Sequence, residues 1–364
     1  MIHMGKDYRI AYLGGDGIGP EIIAEGEKVL DTLAEIFSFK IDKLHLDWSS
    51  KYYLKHGVMF PENAKELLDG YDAIYLGAIG GLPEVPDQIS GRMIPNMRAL
   101  WDQYVGVRPV RLYPGVNTPL KTCDGKKIDF VVIRENTEGE YIEVGGSAHY
   151  GADEVCVQSS VFTHKGCERI MRYAFDLARK RHARGITSTP LVTNCTKSNA
   201  LKYSMNFWDK VFREVSQQYP DVSTNFNYVD AITMWLVKNP ENFDVIVSSN
   251  MYGDIISDLA STMQGGLGFA SSANLNMDGG LSMFEPMHGS APKYAGKNVI
   301  NPIATILSGK LMLEHFGEYE AADLLDRAVE EVVSKKIVCT RDMGGTTTTT
   351  ETGDLICAQL RRFA

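Results

Sequence analysis

The stretch RIAYLGGDGIGPEIIAEGEKVL, residues Arg9–Leu30, decides the architecture. Arg9–Leu13 is a short apolar run and predicts a strand. Gly14–Gly19 breaks it with a tight turn, and Pro20 then stands at a favoured first helical position. Ile22, Ile23, Val29, Leu30 and Leu33 recur at helical spacing. A strand, a glycine turn and a helix in this order invite a dinucleotide fingerprint, but G-x-G-x-x-G fails here. Counted from Gly15, the third glycine falls on Pro20, and Asp16 would set a negative charge beside a pyrophosphate. A second near match, Gly266-Leu267-Gly268, needs glycine where Ser271 stands. The favoured reading of Gly14–Gly19 is therefore a structural turn, and the chain is not a standard Rossmann protein.

Outward from this stretch, strands and helices alternate. Ile41–Asp47 alternates with period two, and Ala73–Ala78, Asp129–Ile133, Leu191–Thr193 and Asp244–Ser249 read as short buried strands. Cys167–Arg181 and Asn199–Gln218 carry helical patterns. This order predicts an α/β fold with a substantial parallel component. The threonine run Thr346–Thr350 reads as a strand edge or loop without chemistry. No repeat and no long Pro/Ser linker interrupts the chain. Its 364 residues suggest about two closely joined domains at roughly 150 residues each.

Lys and Arg number 37 against 46 Asp and Glu, a formal charge of −9. That balance argues against a nucleic-acid groove and leaves room for a small anion held by a few local arginines. No apolar run is long enough to span a bilayer, and strand-like sequence by Arg9 leaves no space for a secretory signal. A cytoplasmic protein is expected. The cysteines, Cys123, Cys156, Cys167, Cys195, Cys339 and Cys357, form no C-x-x-C pair and read as free thiols. The histidines show no metal-ligand spacing, so any metal is expected on carboxylates, as Mg²⁺ or Mn²⁺.

Three groups of residues carry candidate chemistry. Arg98, Arg108 and Arg134 lie at element boundaries, and a guanidinium fork matches a carboxylate in a bidentate manner. Each alone reads equally as a solvated surface cation. Asp254 and Asp258 stand four apart in NMYGDIISDLAS and project from one helical face, with Asp230 as a third acid. They read either as solvated acids or as ligands whose repulsion a divalent cation removes. Lys197 follows an apolar strand, where burial or a cationic neighbour would suit a base, and Tyr141 closes IRENTEGEY. Structural roles, or a carbonyl-trapping role for Lys197, compete with that reading.

IRENTEGEY, YVDAITMWLVKNPENFDVIVSSNMYGDIISDLAS and FEPMHGSAPKYAGKNVINPIATILSG together resemble the β-decarboxylating dehydrogenases, the family of isopropylmalate, isocitrate, homoisocitrate and tartrate/D-malate dehydrogenases. The resemblance spans nearly the whole chain. It implies a two-domain isopropylmalate/isocitrate dehydrogenase-like α/β fold. A discontinuous cofactor-binding domain, residues 1–103 plus 265–364, would enclose a middle domain, 104–264, with dimer contacts and the metal and catalytic residues. Arg98, Arg108 and Arg134 match the arginines that bind the malate-like part of the substrate. Tyr141 matches the acid that protonates the enol, and Lys197 the lysine that assists removal of the hydroxyl proton. Asp230, Asp254 and Asp258 match the carboxylates around the cation, Asp230 coming from the other subunit of a homodimer. Glu285, His288, Gly289, Ser290, Ala291 and Asn301 match the dinucleotide loop.

Within the family, DWSSKYYLKHG, VPDQIS, WDQYV, VRPVRLYPGV and SVFTHKG are most similar to tartrate/D-malate dehydrogenases, which implies a short 2-hydroxy dicarboxylic acid. The segment SGRMIPNMR, which faces the substrate's C3 substituent in this family, lacks the Ser/Asn pattern of isocitrate enzymes and the Leu-Leu pair of isopropylmalate enzymes. Arg92 within it reads as a surface residue or as a seat for a third carboxylate, which keeps isopropylmalate and isocitrate/homoisocitrate substrates open. Lys293-Tyr294 resembles the pair of NADP-dependent relatives, without the matching C-terminal residues around Val338–Asp342. NAD is the expected cofactor, with NADP as the alternative. A non-catalytic regulatory subunit is the reading of another class, and retention of Tyr141, Lys197 and the aspartates argues against it.

Overall fold

A computed structural model describes residues 6–121 and 127–364; Cys123 lies outside them. The described residues fall into two compact units. One is drawn from Met1–Gln103, Leu112–Pro119 and Ser261–Ala364, and the other from Tyr104–Arg111 and Leu120–Ala260. Leu112–Pro119, which the sequence reading places in the middle domain, packs with the first unit. Tyr113 OH donates to Asp326 Oδ1 at 2.8 Å there.

In the first unit, strands lie in the order Lys40–Leu46, Asp7–Gly15, Ala73–Ala78, Ser282–Pro286 and Ser271–Leu275. All neighbours run parallel except the last pair. Ala73–Ala78 is buried along its whole length, as its unbroken apolar run requires. The helix Gly19–Phe37 buries Ile22, Ile23, Val29, Leu30 and Leu33. Tyr75 reaches past it to donate to Thr305 O at 2.6 Å, and a Cβ at Gly26 would fall 2.3 Å from the Tyr75 hydroxyl oxygen.

The Gly14–Gly19 turn is structural, and Asp16 is its centre. Its buried carboxylate accepts from Ser50 N at 3.0 Å, Ser50 Oγ at 2.7 Å and Gly80 N at 2.8 Å. Gly15 and Gly17 have φ of 73° and 57°, and a Cβ at Gly17 would fall 2.1 Å from Ser290 O. Ile18 N donates to that same oxygen at 2.9 Å. The acid that spoils a pyrophosphate fingerprint thus ties three backbone segments together.

The second unit orders its strands Val105–Arg111, Asp129–Glu135, Val245–Ser248, Leu191–Thr196 and Ser223–Tyr228. The first pair is antiparallel and the others parallel. The helices His164–Ala183 and Ser204–Ser216 bury Ile170, Phe175, Trp208 and Phe212. The second helix starts later than its pattern predicts, because Ala200 N and Leu201 N both turn back onto Lys197 O at 2.9 Å. A separate hairpin, Gly145–Ala148 with Val155–Gln158, is exposed throughout.

Two sequence expectations have direct outcomes. The threonine run is loop over Thr346–Thr348 and then turns into helix: Thr348 caps the helix Thr349–Phe363 in a capping box with Glu351. The described cysteines are free thiols. Among the described residues, no helix is long and apolar enough to cross a membrane. Asp16→Ala strands two buried backbone N–H groups and should lower the unfolding free energy by about 2–3 kcal/mol in urea titrations. Asp16→Asn, which keeps one acceptor oxygen, should cost less.

Candidate active site

Strand register brings two of the predicted arginines together. Arg108 lies opposite Val132 in the antiparallel pair, and Arg134 is two residues beyond Val132. Both side chains therefore leave the same face of the sheet. Two glycines make room for Arg134. A Cβ at Gly106 would fall 3.2 Å from Arg134 Cβ, and one at Gly253 only 2.8 Å from Arg134 Cβ and Cγ.

The helix Asn250–Ser261 receives both guanidinium groups along one face, at positions 250, 254 and 257. Asn250 Oδ1 accepts from Arg134 Nε at 3.0 Å and Nη2 at 2.7 Å. Asp254 Oδ1 accepts from Arg134 Nη1 and, at 3.0 Å, from Arg108 Nη1. Ser257 Oγ accepts from Arg108 Nη1 at 2.5 Å. Burial pushes the Asp254 carboxyl up, but Arg134, Arg108 and a hydrogen bond from Tyr141 outweigh it and hold the group below the usual range. Asp258, one turn on, goes the other way. Burial raises it and the Asp254 charge adds to the rise, against the pull of both arginines. Two neighbouring acids are thus driven apart, as expected where like charges share a site.

Tyr141 is 51% exposed, yet its hydroxyl donates to Asp254 Oδ2 at 3.0 Å. Partial burial, then the Asp254 charge and hydrogen bond, raise its pKa. The turn that delivers it is built by Glu135, whose carboxylate accepts from Thr137 N at 2.9 Å, Thr137 Oγ1 at 2.7 Å and Glu138 N at 2.7 Å. Lys197 follows the strand Leu191–Thr196 and pairs with Asp230 at 2.5 Å. Its neighbour is an anion, not a cation. Asp230 opens the helix Val229–Lys238 and is exposed; its pKa is lowered by the Lys197 hydrogen bond. Among the described residues, no three His, Cys, Asp or Glu side chains gather into a set able to hold a metal ion.

The first unit carries the remaining predicted residues. A cavity of about 480 Å³ is lined by His288, Gly289, Ala291, Tyr294 and Asn301, with Gly268, Arg341 and Asp342 beside them. His288 Nδ1 lies 3.1 Å from Gly289 O, while its buried Nε2 has no hydrogen-bond partner. Asn301 Nδ2 donates to Asp342 Oδ2 at 3.1 Å. Ser290 is committed elsewhere, its hydroxyl donating to Gly80 O at 2.6 Å. Glu285 accepts from Asn274 Nδ2 at 2.7 Å and from Arg98 Nη2 at 3.3 Å, so Arg98 is seated against the strand that leads into this loop. Lys293 Nζ stands 4.8 Å from the Tyr294 ring centre, and the Arg341 guanidinium 5.7 Å from it. Asn250, Ser257, Gly253, Asn274 and Arg341 were not singled out by sequence. The helical spacing of 250, 254 and 257 was the readable signal for the first two.

The chain matches the family described as isocitrate/isopropylmalate dehydrogenase over residues 9–356. It belongs to that family. It is 45% identical to a probable tartrate dehydrogenase/decarboxylase of Bacillus subtilis, covering 98% of this chain and 99% of that protein. It is 44% identical to D-malate dehydrogenase [decarboxylating] of Escherichia coli, covering 99% and 100%. Among solved structures, isocitrate dehydrogenase from Methylococcus capsulatus superposes with a TM-score of 0.86 at 32% identity, covering 97% and 99%. The family's fold is the isocitrate dehydrogenase-like α/β fold expected from sequence, and the chain is an enzyme of the decarboxylating dehydrogenase class.

Glu135 offers a test of the turn that carries Tyr141. Burial pushes its carboxyl up to about 6, from an ordinary 4.5. Between those values the native state binds the proton more tightly than the unfolded chain, so stability falls as pH rises through this window and levels off above it. Melting curves across the window should show a shallower decline in Glu135→Gln than in the parent.

Proposed function

We propose that this enzyme oxidises and decarboxylates a short 2-hydroxy dicarboxylic acid of the D-malate or tartrate type with a nicotinamide cofactor. The carrying observation is the convergence of Arg108, Arg134 and Tyr141 on Asp254, which sets two guanidinium groups beside a proton donor. The names of the relatives at 44–45% identity point to the same substrates. Arg98, Arg108 and Arg134 bind and orient the substrate carboxylates. Lys197 assists removal of the hydroxyl proton as hydride leaves C2, and Tyr141 returns a proton to carbon after loss of CO₂.

The donor set fits a hard divalent cation, Mg²⁺ or Mn²⁺, since Asp254 and Asp258 offer carboxylate oxygens one helical turn apart. Asp230 of a second copy would complete it. Such a cation supplies Lewis-acid stabilisation of the charge that develops on the substrate oxygen. Homodimer formation is supported by the second unit's surface, which exposes Val155, Val157, Met234, Trp235 and Val237 around Asp230 and the hairpin. Large exposed apolar groups of this kind mark an interaction face. The cytoplasm is the compartment we assign.

The cavity lined by His288, Gly289, Ala291, Tyr294 and Asn301 is the seat we assign to the dinucleotide, and the unpartnered His288 Nε2 fits a polar ligand there. Glu285, Ser290 and Lys293, which the family resemblance assigns to the same seat, are not among the residues that line the cavity. The unit bearing the cavity is then the cofactor domain. NAD is the cofactor we assign, with NADP admitted by Lys293 and Arg341 beside the Tyr294 ring. Arg92, exposed at the start of the helix Met93–Leu100, would suit a larger isocitrate- or isopropylmalate-type substrate.

Comparison of kcat/KM on D-malate, tartrate, isopropylmalate and isocitrate, with both cofactors and Mn²⁺, tests the assignment; D-malate or tartrate should lead. Lys197→Met should abolish turnover while substrate binding stays within about tenfold, and a near-normal kcat would remove Lys197 from the chemistry. Lys293→Asp should lower the NADP/NAD preference by about tenfold or more through loss of a charge-assisted contact and gain of a repulsive one. An unaltered ratio would remove Lys293 from cofactor choice.

A further inference from the structure

Asn250 is buried to 2% exposure and makes three side-chain hydrogen bonds that together fix its amide. Its Nδ2 donates to Glu138 O at 2.9 Å, which leaves Oδ1 aimed at Arg134. A carbonyl oxygen cannot face another carbonyl favourably, so the amide has one satisfactory orientation. Oδ1 then accepts from both Nε and Nη2 of Arg134, along one edge of the planar guanidinium. That edge determines the plane, and Nη1 is turned to Asp254 and the Tyr141 cluster.

We infer that Asn250 is a positioning residue for carboxylate recognition, holding the Arg134 fork in the substrate-binding plane without adding a negative charge to that of Asp254. Three features make an amide the suitable group. Arg134 is 2% exposed, so its donors must be matched within the protein. A carboxylate at position 250 would also match Nε and Nη2, but added to Asp254 it would leave the two arginines with no net charge for an anionic ligand. Gly253, one turn on, lets the arginine lie against the helix, since a Cβ there would meet its side chain at 2.8 Å. The role rests on the dicarboxylate reading given above and adds to it a residue that touches no substrate.

The test compares Asn250→Ala and Asn250→Asp with the parent and with Arg134→Lys. Asn250→Ala should raise KM for the 2-hydroxy dicarboxylate by about 10- to 100-fold, the size expected when charge-assisted hydrogen bonds lose their alignment. kcat and the KM for dinucleotide should change by less than about threefold, because Arg134 binds the carboxylate and not the cofactor. Asn250→Asp should raise the same KM and lower the melting temperature somewhat, because a carboxylate cannot donate to Glu138 O. In the Arg134→Lys background the effect of Asn250→Ala should nearly vanish, since residues acting through one another are not additive. Additive effects, an unchanged dicarboxylate KM, or equal losses towards both ligands together with a fall in melting temperature would overturn the inference. A substrate-free measurement separates it from the functional reading. Phenylglyoxal modification of Arg134, followed by peptide mass mapping, should be about tenfold faster in Asn250→Ala, because two of the guanidinium's donors are released. An unchanged rate overturns the positioning role whatever the substrate proves to be. Faster labelling in an enzyme inactive on every dicarboxylate leaves the role standing and removes the functional reading.

Discussion

The carboxylate of Asp254 is the point on which the second unit's chemistry is organised. One oxygen accepts from Arg108 and Arg134, and the other from Tyr141. Two cations on one sheet face would repel each other without an anion between them, and the helix Asn250–Ser261 supplies it at one position. Asn250 and Ser257, four residues before and three after, take further donors from the same two arginines. Charge and geometry are thereby solved by one helical face meeting one strand pair.

The first unit depends on a different constraint, the satisfaction of buried backbone. Asp16 accepts from Ser50 and Gly80, and the following turn donates from Ile18 to Ser290 O. Ser290 Oγ in turn donates to Gly80 O. The loop that carries His288 and Ala291 is therefore held by the glycine turn itself. This explains why a turn resembling a phosphate-binding loop contains an acid: its backbone is engaged with protein rather than offered to an anion.

Much of this was legible in advance. The apolar runs of Ala73–Ala78 and Asp129–Ile133 are buried strands, and the periodicity after Pro20 is the buried face of a helix. Recurrent motifs identified the family, which the comparisons bear out. What went unread had identifiable causes. The threonine run hid a capping box because its composition outweighed the Thr348-x-x-Glu351 spacing. The helix expected from Asn199 begins at Ser204, because the preceding residues turn back onto Lys197. Asn250 carried no charge and belonged to no known ligand set, so nothing local marked it.

The sequence by itself determined which groups are present and how neighbours along one element are spaced. That covers the α/β order, the i, i+4 pair Asp254 and Asp258, and the proline that forbids a Rossmann fingerprint. It also determined the family, because those motifs stand at characteristic separations along the chain. Only the tertiary structure decided which arginine meets which acid. Arg108 and Arg134 share a face through antiparallel register, and both reach a helix more than a hundred residues away from either. Such pairings follow from long-range packing and the need to match every buried charge and donor, and no local pattern records where the matching partner lies.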